Sequence, residues 1–309
     1  MIRSEVWGPV AATTTSKTKT IGSYAALGDS FTEGVGDPGP GDTFLGWADR
    51  LAVLLADRCE ERYEHSGASS DSGASRASGD PGSSGGPGEP AGSAGPAGSG
   101  AFRYANLAVR GRLLDQIVAE QVPRAMELAP DLVTFCAGGN DIIRPGSDPD
   151  DVAERYEAAV RDLTGSVGLV VITTGFDTRD VPVLKHMRGK IATFSAHVRS
   201  IADRYECPVL DLWSLKSIQD RRAWDDDRLH LSPEGHTRVA LRAAQVLGLD
   251  TPADPDQPWP PMRPRGSVDT TRDNIHWARE HLVPWIGRRL RGESSGDHVE
   301  PKRPDLLPL

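Results

Sequence analysis

Hydrophobic and polar positions follow two alternating patterns along most of the chain. Short apolar runs predict strands at 23–29, 102–109, 131–139, 168–174 and 207–213. Between them, apolar residues recur at helical spacing and predict helices at 44–62, 111–128, 149–164, near 190–205 and at 232–249. Strands alternating with helices predict an α/β fold in which helices cover both faces of a parallel five-stranded sheet.

Prolines give the clearest local signals within the predicted helices. Ser232 followed by Pro233 predicts the start of the last helix, with serine as the N-cap and proline at the first helical position. Pro123 lies inside 111–128 and lacks the N–H that a helix interior uses. We therefore expect it to kink or break that helix.

The segment at 66–100 interrupts the pattern because it contains only Gly, Ser, Ala, Pro, Asp, Glu and Arg. Without apolar side chains to bury, it cannot offset its ordering entropy, and we expect a disordered loop. It could link two domains or be an insertion in one. The flanking sequences resemble consecutive pieces of one sheet, and loop-closure entropy grows slowly with length, so an insertion is the better interpretation.

Both ends of the chain lie outside the domain predicted at 21–250. Residues 1–20 are expected to form a flexible tail, and 251–309 to hold a Pro-rich segment, an amphipathic helix and a disordered C-terminal tail after residue 293. Pro284 should interrupt that helix. Its apolar positions are Ile275, Ala278, Leu282, Ile286 and Leu290.

The amphipathic helix at 271–292 has two interpretations. It could pack on the domain or on a second copy of the chain, or present Arg288, Arg289 and Arg291 to a partner or a membrane. Glu280 dilutes the positive charge, and arginines suit the C-terminal end of a helix, so packing is favoured. Self-association through this helix is one expectation.

Composition and charge narrow the classes of partner. The net charge of −9 and the pI of about 5.4 repel phosphate backbones and anionic lipids, which argues against nucleic acid and membrane surfaces. No apolar run approaches the roughly 18 to 20 residues that cross a bilayer, and residues 1–20 lack a secretory signal, so we expect a cytoplasmic location. Cys59, Cys136 and Cys207 are widely spaced, which favours reduced thiols over disulfides or a metal site.

Residues that could carry chemistry follow the predicted strands. Ser30 lies in GDSFTEG, Gly111 ends NLAVRG and Asn140 lies in GGND, while Asp227 and His230 lie in DRLH beyond the fifth strand. Singly, each could cap a helix, form a turn or stabilise a loop. Because the carboxyl ends of parallel strands share one edge of the sheet, together they supply a nucleophile, a base, an orienting carboxylate and hydrogen-bond donors.

These four blocks, in this order, resemble the nucleophile, glycine, asparagine and D-x-x-H blocks of the SGNH or GDSL hydrolases. The resemblance covers about 21–250 and implies a flavodoxin-like three-layer α/β/α sandwich. It also implies a hydrolase that cleaves small-molecule esters or thioesters without a metal or another cofactor. Thr32 replaces the second glycine of the G-x-S-x-G elbow, which separates the chain from the α/β-hydrolase fold.

The resemblance implies a role for each of the five residues. Ser30 would be the nucleophile, His230 the base that takes its proton, and Asp227 the acid that orients the imidazole. The backbone N–H groups of Ser30 and Gly111 and the side-chain amide of Asn140 would form the oxyanion hole. Such donors stabilise the charge that develops on the tetrahedral carbonyl oxygen.

Three other functions fit parts of the sequence. A metal-dependent phosphoesterase could draw ligands from Asp225, Asp226, Asp227, His230 and His236. The glycine-rich stretch after the first strand could bind a nucleotide, although it lacks the G-K-[ST] ending and its acids repel phosphate. A non-catalytic interaction protein could act through the loop and the tail.

The rest of the sequence gives expectations about acyl-chain length, about residues that could line an acyl pocket, and about the polar residues beside Asp227 and His230. A short acyl chain is expected because no apolar lid segment is evident. An acyl pocket or a packed loop could involve Phe176, Val183, Leu184 and Met187, and the sequence leaves both open. His236 lies inside the last helix and is expected to pack or to hydrogen-bond, whereas Asp225 and Asp226 are expected to be solvated.

Overall fold

Six strands form one sheet in the computed structural model, which describes residues 21–68, 101–181, 184–262, 275–284 and 296–309. The strands are β1 (Ser23–Gly28), β2 (Arg103–Asn106), β3 (Leu132–Cys136), β4 (Leu169–Thr173), β5 (Val209–Leu210) and β6 (Arg303–Pro308). Their order in the sheet is β5-β4-β3-β1-β2-β6. The first five pair in parallel, as expected, and β6 adds an antiparallel edge strand beside β2, so the sheet is six-stranded rather than five-stranded.

Seven α-helices connect the strands in the described part of the chain. They are α1 (Ser30–Glu33), α2 (Trp47–Ala68), α3 (Leu114–Leu128), α4 (Gly139–Ile142), α5 (Pro149–Thr164), α6 (Arg188–Tyr205) and α7 (Pro233–Val246). The Ser232 side chain accepts a hydrogen bond from Gly235 N and Pro233 is the first residue of α7, which confirms the predicted helix start. Short 3-10 helices lie at Leu184–Met187, Lys216–Gln219 and Arg221–Ala223.

The core consists of two apolar layers, one on each face of the sheet. One layer lies between the sheet and helices α3, α5 and α6, where Phe135 stacks on Tyr156 and Phe194 meets the Tyr156 ring edge to face. The other lies under α2 and α7 and includes the fully buried Trp47. The three-layer α/β/α sandwich is therefore confirmed.

Pro123 does not break its helix. It lies inside α3, which continues to Leu128. Ile117, Val122 and Ala125 are buried against the sheet, and this packing holds the helix together although proline supplies no N–H.

The segment at 66–100 joins two neighbouring strands. Strands β1 and β2 stand before and after it and pair in parallel, from Ser23 with Arg103 to Ala26 with Asn106. Its first three residues belong to the last turn of α2, because a helix once formed gains one hydrogen bond with each added residue. The predicted disordered loop otherwise lies outside the described residues, as does the predicted flexible tail at 1–20.

The prediction of disorder after residue 293 is wrong for the residues that form β6. This strand shows no alternation of apolar and polar residues, since most of its side chains are exposed. Pro304 and Pro308 are tolerated because the strand lies at the edge of the sheet. Arg303 Nε donates to the Tyr104 carbonyl at 2.8 Å and helps hold β6 on β2.

The predicted amphipathic helix is described only over 275–284, where a π-helical turn spans Ala278–Leu282. Ile275 is 51% exposed, so it does not pack on the domain as the pattern predicts. Trp277 makes the contact instead, and its indole Nε1 donates to the Asp227 carbonyl at 2.8 Å. No helix in the described ranges is long and apolar enough to cross a membrane.

Candidate active site

Three strand ends meet where the candidate residues lie. The register pairs Gly28 at the end of β1 with Cys136 at the end of β3, and Asn106 at the end of β2 with Ala26. The chain that leaves these strands carries Ser30, Asn140 and Gly111. Strand β1 lies between β3 and β2, so the three segments that follow these strands come together at one edge of the sheet, as the sequence predicts.

Ser30 is the first residue of the one-turn helix α1. Asp29 is its N-cap, and the Asp29 carboxylate accepts a hydrogen bond from Phe31 N at 3.1 Å. Gly28 precedes the cap in a tight place, because a Cβ there would lie 2.5 Å from the Cys136 carbonyl oxygen. The buried Gln121 amide clamps Gly28 from both sides, accepting from its N–H at 2.8 Å and donating to its carbonyl at 2.9 Å.

A short closed loop carries Asp227 and His230. Trp224 and Leu231 form an antiparallel bridge at its base, and Asp225 N donates to the His230 carbonyl at 2.9 Å. Arg228 adopts the left-handed conformation with φ of 58°, which lets the loop reverse direction between the two candidate residues. The D-x-x-H spacing therefore places both side chains on the same side of one turn.

Ser30, His230 and Asp227 form one chain of hydrogen bonds. His230 Nδ1 lies 2.6 Å from Asp227 Oδ2, and His230 Nε2 lies 3.0 Å from Ser30 Oγ. A carboxylate can only accept, so Nδ1 carries the proton and Nε2 presents its lone pair to the serine hydroxyl. This is the tautomer in which an imidazole can take the proton of Ser30.

The Asp227 carboxyl is held in its ionised form. Burial acts to raise its pKa, but hydrogen bonds and the charge interaction with His230 outweigh burial and bring the pKa well below the ordinary value. Its second oxygen, Oδ1, accepts from Leu229 N at 2.8 Å and from His230 N at 2.9 Å. The carboxylate is therefore fixed in position as well as in charge.

The candidate oxyanion donors lie around Ser30, but they differ in their present partners. Within the described ranges, the backbone N–H groups of Ser30 and Gly111 donate to no other protein group. Gly111 has φ of 73°, which turns the chain after β2. Asn140 Nδ2 donates to Asp29 Oδ2 at 3.0 Å and to the Arg112 carbonyl at 3.1 Å, so both of its amide hydrogens are engaged.

Asp226 and the second histidine of the region, His236, do not point into the candidate site. The Asp226 side chain is 99% exposed. His236 is fully buried, with Nδ1 accepting from Trp47 N at 3.1 Å and Nε2 donating to the Val35 carbonyl at 3.3 Å. Among the described residues, no three His, Cys, Asp or Glu side chains are grouped as a metal ion would require. The ligand set considered for a phosphoesterase is not assembled there.

An open cavity of about 870 Å³, a volume that includes its solvent-filled mouth, lies beside Ser30 and His230. Most of its wall is apolar, with side chains from Phe31, Ile142, Phe176, Leu184, Ile191 and Phe194. Two of the four residues considered for an acyl pocket, Phe176 and Leu184, thus line it. Met187 packs against the core instead, and Val183 lies outside the described residues.

Cys136 also lines the cavity, where it could be considered a rival nucleophile. Burial, followed by the nearby charge of Asp29, raises the pKa of its thiol to about 12. A thiol in this state is not the reactive thiolate at neutral pH, so Ser30 is the better nucleophile.

Sequence reasoning missed several residues that support the site. The Glu33 carboxylate, buried on α1, accepts from Arg110 N at 2.6 Å and from the Arg110 guanidinium, and so ties the serine helix to the loop that carries Gly111. Gln121, Trp277 and Lys302 were also not recognised. Glu33 and Arg110 stand inside the quoted blocks, but nothing in their spacing indicates that they pair.

The sequence matches the family model of the GDSL-like lipases and acylhydrolases over residues 24–243. A search of curated proteins gave no match.

Solved structures share the fold at low sequence identity. An acetylxylan esterase from Geobacillus stearothermophilus is 16% identical with a TM-score of 0.52, and the alignment covers 75% of this chain and 98% of that one. A protein from Parabacteroides merdae named as a GDSL-like lipase is 13% identical with a TM-score of 0.55, covering 75% and 98%. An α/β hydrolase from the metagenome of Lake Arreo is 18% identical with a TM-score of 0.52, covering 74% and 96%.

Proposed function

Since the chain belongs to the GDSL-like lipase/acylhydrolase family and is therefore a hydrolase of esters, we propose that it works through an acyl-enzyme on Ser30. The hydrogen-bonded chain from Ser30 through His230 to Asp227 is the observation that carries this proposal. Ser30 lies 200 residues before His230, yet its hydroxyl and the Asp227–His230 pair are aligned within hydrogen-bond distance, in the order that nucleophilic catalysis requires.

In the first half of the reaction, His230 Nε2 takes the proton of Ser30 while Oγ attacks the ester carbonyl. The Asp227 carboxylate stabilises the imidazolium that forms and keeps Nδ1 protonated. His230 then gives the proton to the leaving alcohol as the C–O bond breaks. In the second half, His230 takes a proton from the water that attacks the acyl-serine, and it returns this proton to Ser30 Oγ as the bond between Oγ and the acyl carbon breaks and the carboxylic acid leaves.

The oxyanion hole is proposed to combine the N–H groups of Ser30 and Gly111 with the Asn140 amide. The two backbone groups are available as they stand. Asn140 must turn one N–H away from Asp29 or from the Arg112 carbonyl when charge develops on the substrate oxygen. Each such donor contributes roughly 10²- to 10³-fold to the rate of acyl transfer.

The proposed substrate is a small ester with a short acyl chain. The apolar wall formed by Phe31, Phe176 and Leu184 suits the hydrocarbon part of an acyl group better than a sugar or a charged group. A panel of p-nitrophenyl esters from two to sixteen carbons tests this. The highest kcat/KM is expected among the shortest chains, and a maximum at the long chains would overturn the acyl-length part alone.

A fluorophosphonate probe tests the acyl-enzyme directly, because it reacts only with an activated serine. The wild-type protein should be labelled and should hydrolyse p-nitrophenyl acetate in the presence of EDTA. Ser30→Ala should lose both properties while its unfolding transition stays in place. Thr32→Ser offers a matched control two positions away, since it retains a hydroxyl on the same helix and should still be labelled at Ser30.

A metal-dependent phosphoesterase would behave differently in the same experiment. Its activity would disappear with EDTA and would survive Ser30→Ala. Absence of labelling in the intact protein would likewise overturn the proposal.

A further inference from the structure

The C-terminal part of the chain returns to the candidate active site at three points. Trp277 contacts the loop of Asp227, Gly296 lies against the Arg110 carbonyl, and Lys302 reaches the end of helix α1. All three residues lie outside 24–243, the part matched by the family model. Each contact falls on a backbone group that belongs to a member of the proposed site or lies within a few residues of one.

Lys302 makes the most complete of these contacts. Its ammonium donates to the Glu33 carbonyl at 2.6 Å, to the Phe44 carbonyl at 2.8 Å and to the Asp49 carboxylate at 2.6 Å. Three donors thus meet three acceptors, and the side chain is only 13% exposed. The Glu33 carbonyl is the last of the one-turn helix that begins with Ser30, and a cation at this end also suits the helix dipole.

Glu33 is bonded to both Lys302 and the block that contains Gly111. Its carbonyl accepts from Lys302 while its carboxylate accepts from Arg110, the residue before Gly111. Gly296 passes so close to this place that a Cβ on it would lie 1.9 Å from the Arg110 carbonyl oxygen. The tail therefore rests on both backbone segments that supply the proposed N–H donors.

Trp277 contacts the opposite side of the site. Its indole N–H donates to the carbonyl of Asp227, and its ring lies 5.0 Å from the Arg228 guanidinium carbon. Arg228 is the residue with the left-handed backbone in the D-x-x-H turn. One side chain thus holds both the proposed acid and the strained residue that shapes its loop.

We propose that Lys302 and Trp277 are positioning residues that hold the Ser30 helix and the Asp227–His230 loop in register with each other. The proposal rests on the proposed function, because register between these elements matters only if Ser30 and His230 react together. Reacting groups must be held in near-attack geometry, and a displacement of about 1 Å can cost on the order of 100-fold in rate. Neither Lys302 nor Trp277 lines the apolar cavity, so their loss should act on kcat more than on KM.

The test at the loop is Trp277→Phe, which keeps an aromatic ring but removes the N–H. Its matched control is Trp259→Phe, since Trp259 Nε1 also donates to a carbonyl, that of Ser217 at 2.8 Å, and its ring also carries an arginine. With p-nitrophenyl acetate, Trp277→Phe should lower kcat by about three- to tenfold and leave KM within about twofold. Trp259→Phe should leave both constants unchanged.

The test at the helix is Lys302→Met, with Asp305→Asn as control on the same strand. Asp305 pairs with Arg124 at the surface, away from the site. Lys302→Met should slow fluorophosphonate labelling and lower kcat by about tenfold at a temperature well below its unfolding transition. Lys302→Arg, which keeps the charge, should recover part of the rate, whereas Asp305→Asn should react as the wild type does.

The outcomes separate the two proposals. Wild-type labelling that Ser30→Ala abolishes supports the acyl-enzyme whatever the tail does. If Trp277→Phe and folded Lys302→Met then match the wild type in kcat and labelling rate, the positioning role is refuted and the proposed function stands. If Lys302→Met does not fold, the comparison of Trp277→Phe with Trp259→Phe decides alone.

Discussion

His230 and His236 stand in one loop and the helix that follows it, yet their surroundings are opposite. The His230 side chain is 18% exposed and its two nitrogens contact two side chains, those of Asp227 and Ser30. His236 is fully buried, and its nitrogens contact two backbone groups, Trp47 N and the Val35 carbonyl. The first imidazole faces the cavity and can exchange a proton there, whereas the second joins α7 to α2 and to the chain after α1.

The comparison shows that the hydrogen-bond partners of a titratable group in this region, rather than its residue type, determine whether it serves proton transfer or stability. A histidine beside an ionised carboxylate and a hydroxyl is arranged for proton transfer. A histidine whose nitrogens are both used by the backbone is arranged for stability, because without it the buried Trp47 N–H would lose its hydrogen-bond partner. Three substitution experiments can break or sharpen this division.

The largest difference is expected when each of the two histidines is replaced by alanine in turn. His230→Ala should lower kcat by on the order of 10⁵-fold, because the base is lost, while stability changes little. His236→Ala should lower the free energy of unfolding by about 2 to 4 kcal/mol and leave kcat of the folded protein near the wild-type value. Urea titrations and initial rates measure both. A His236→Ala protein that is stable but inactive would break the comparison.

A smaller difference is expected between the neighbouring acids. Asp227→Asn should lower kcat by about 10³- to 10⁴-fold, because an amide can donate to His230 Nδ1 and favour the wrong tautomer. Asp226→Asn should leave the rate unchanged, since the Asp226 side chain is exposed. Initial rates with one ester suffice for both. Equal losses at the two positions would argue for a shared metal site.

The smallest effect concerns the pH dependence of stability. Burial lowers the pKa of His236 to about 3 from the ordinary value of 6.5. Between these values the unfolded chain binds a proton that the folded chain does not, so stability falls as pH falls from 6.5 towards 3. This residue alone should account for a loss of about 2 kcal/mol between pH 7 and pH 5.

Urea titrations at the two pH values measure that loss. His236→Gln removes the titrating group, so its stability should vary less with pH over the same interval. A wild-type stability that is constant from pH 7 to pH 5 would contradict the buried neutral state of His236.

Much of the sheet and the proposed triad could be predicted from sequence because the signals are local. Each strand of the parallel part is a short apolar run, and Ser30, Asp227 and His230 stand in compact blocks. The predicted boundaries are less accurate. Strand β2 ends at Asn106 although the apolar run continues to Val109, and the chain beyond Asn106 still follows β1, since Leu107 N donates to the Ala26 carbonyl at 2.9 Å.

The tail could not be predicted because its contacts lack a local pattern. Strand β6 is an edge strand with mostly exposed side chains, so no alternation marks it. Lys302 and Trp277 each make their contacts through a single polar group whose acceptors lie far away in the sequence. The apolar pattern predicts that Ile275 packs on the domain. Ile275 is exposed, and Trp277 in the same turn makes the contact.

The pairing of β6 with β2 also bears on how the sheet assembles. Tyr104 and Leu307 are partners across a very long stretch of chain, whereas β1, β2 and β3 join through shorter connections. Contacts between such distant segments form slowly, because the entropy of closing the intervening chain must be overcome first. Until β6 arrives, the outer edge of β2 offers unpaired N–H and C=O groups to other chains, which makes this edge the place where folding competes with aggregation.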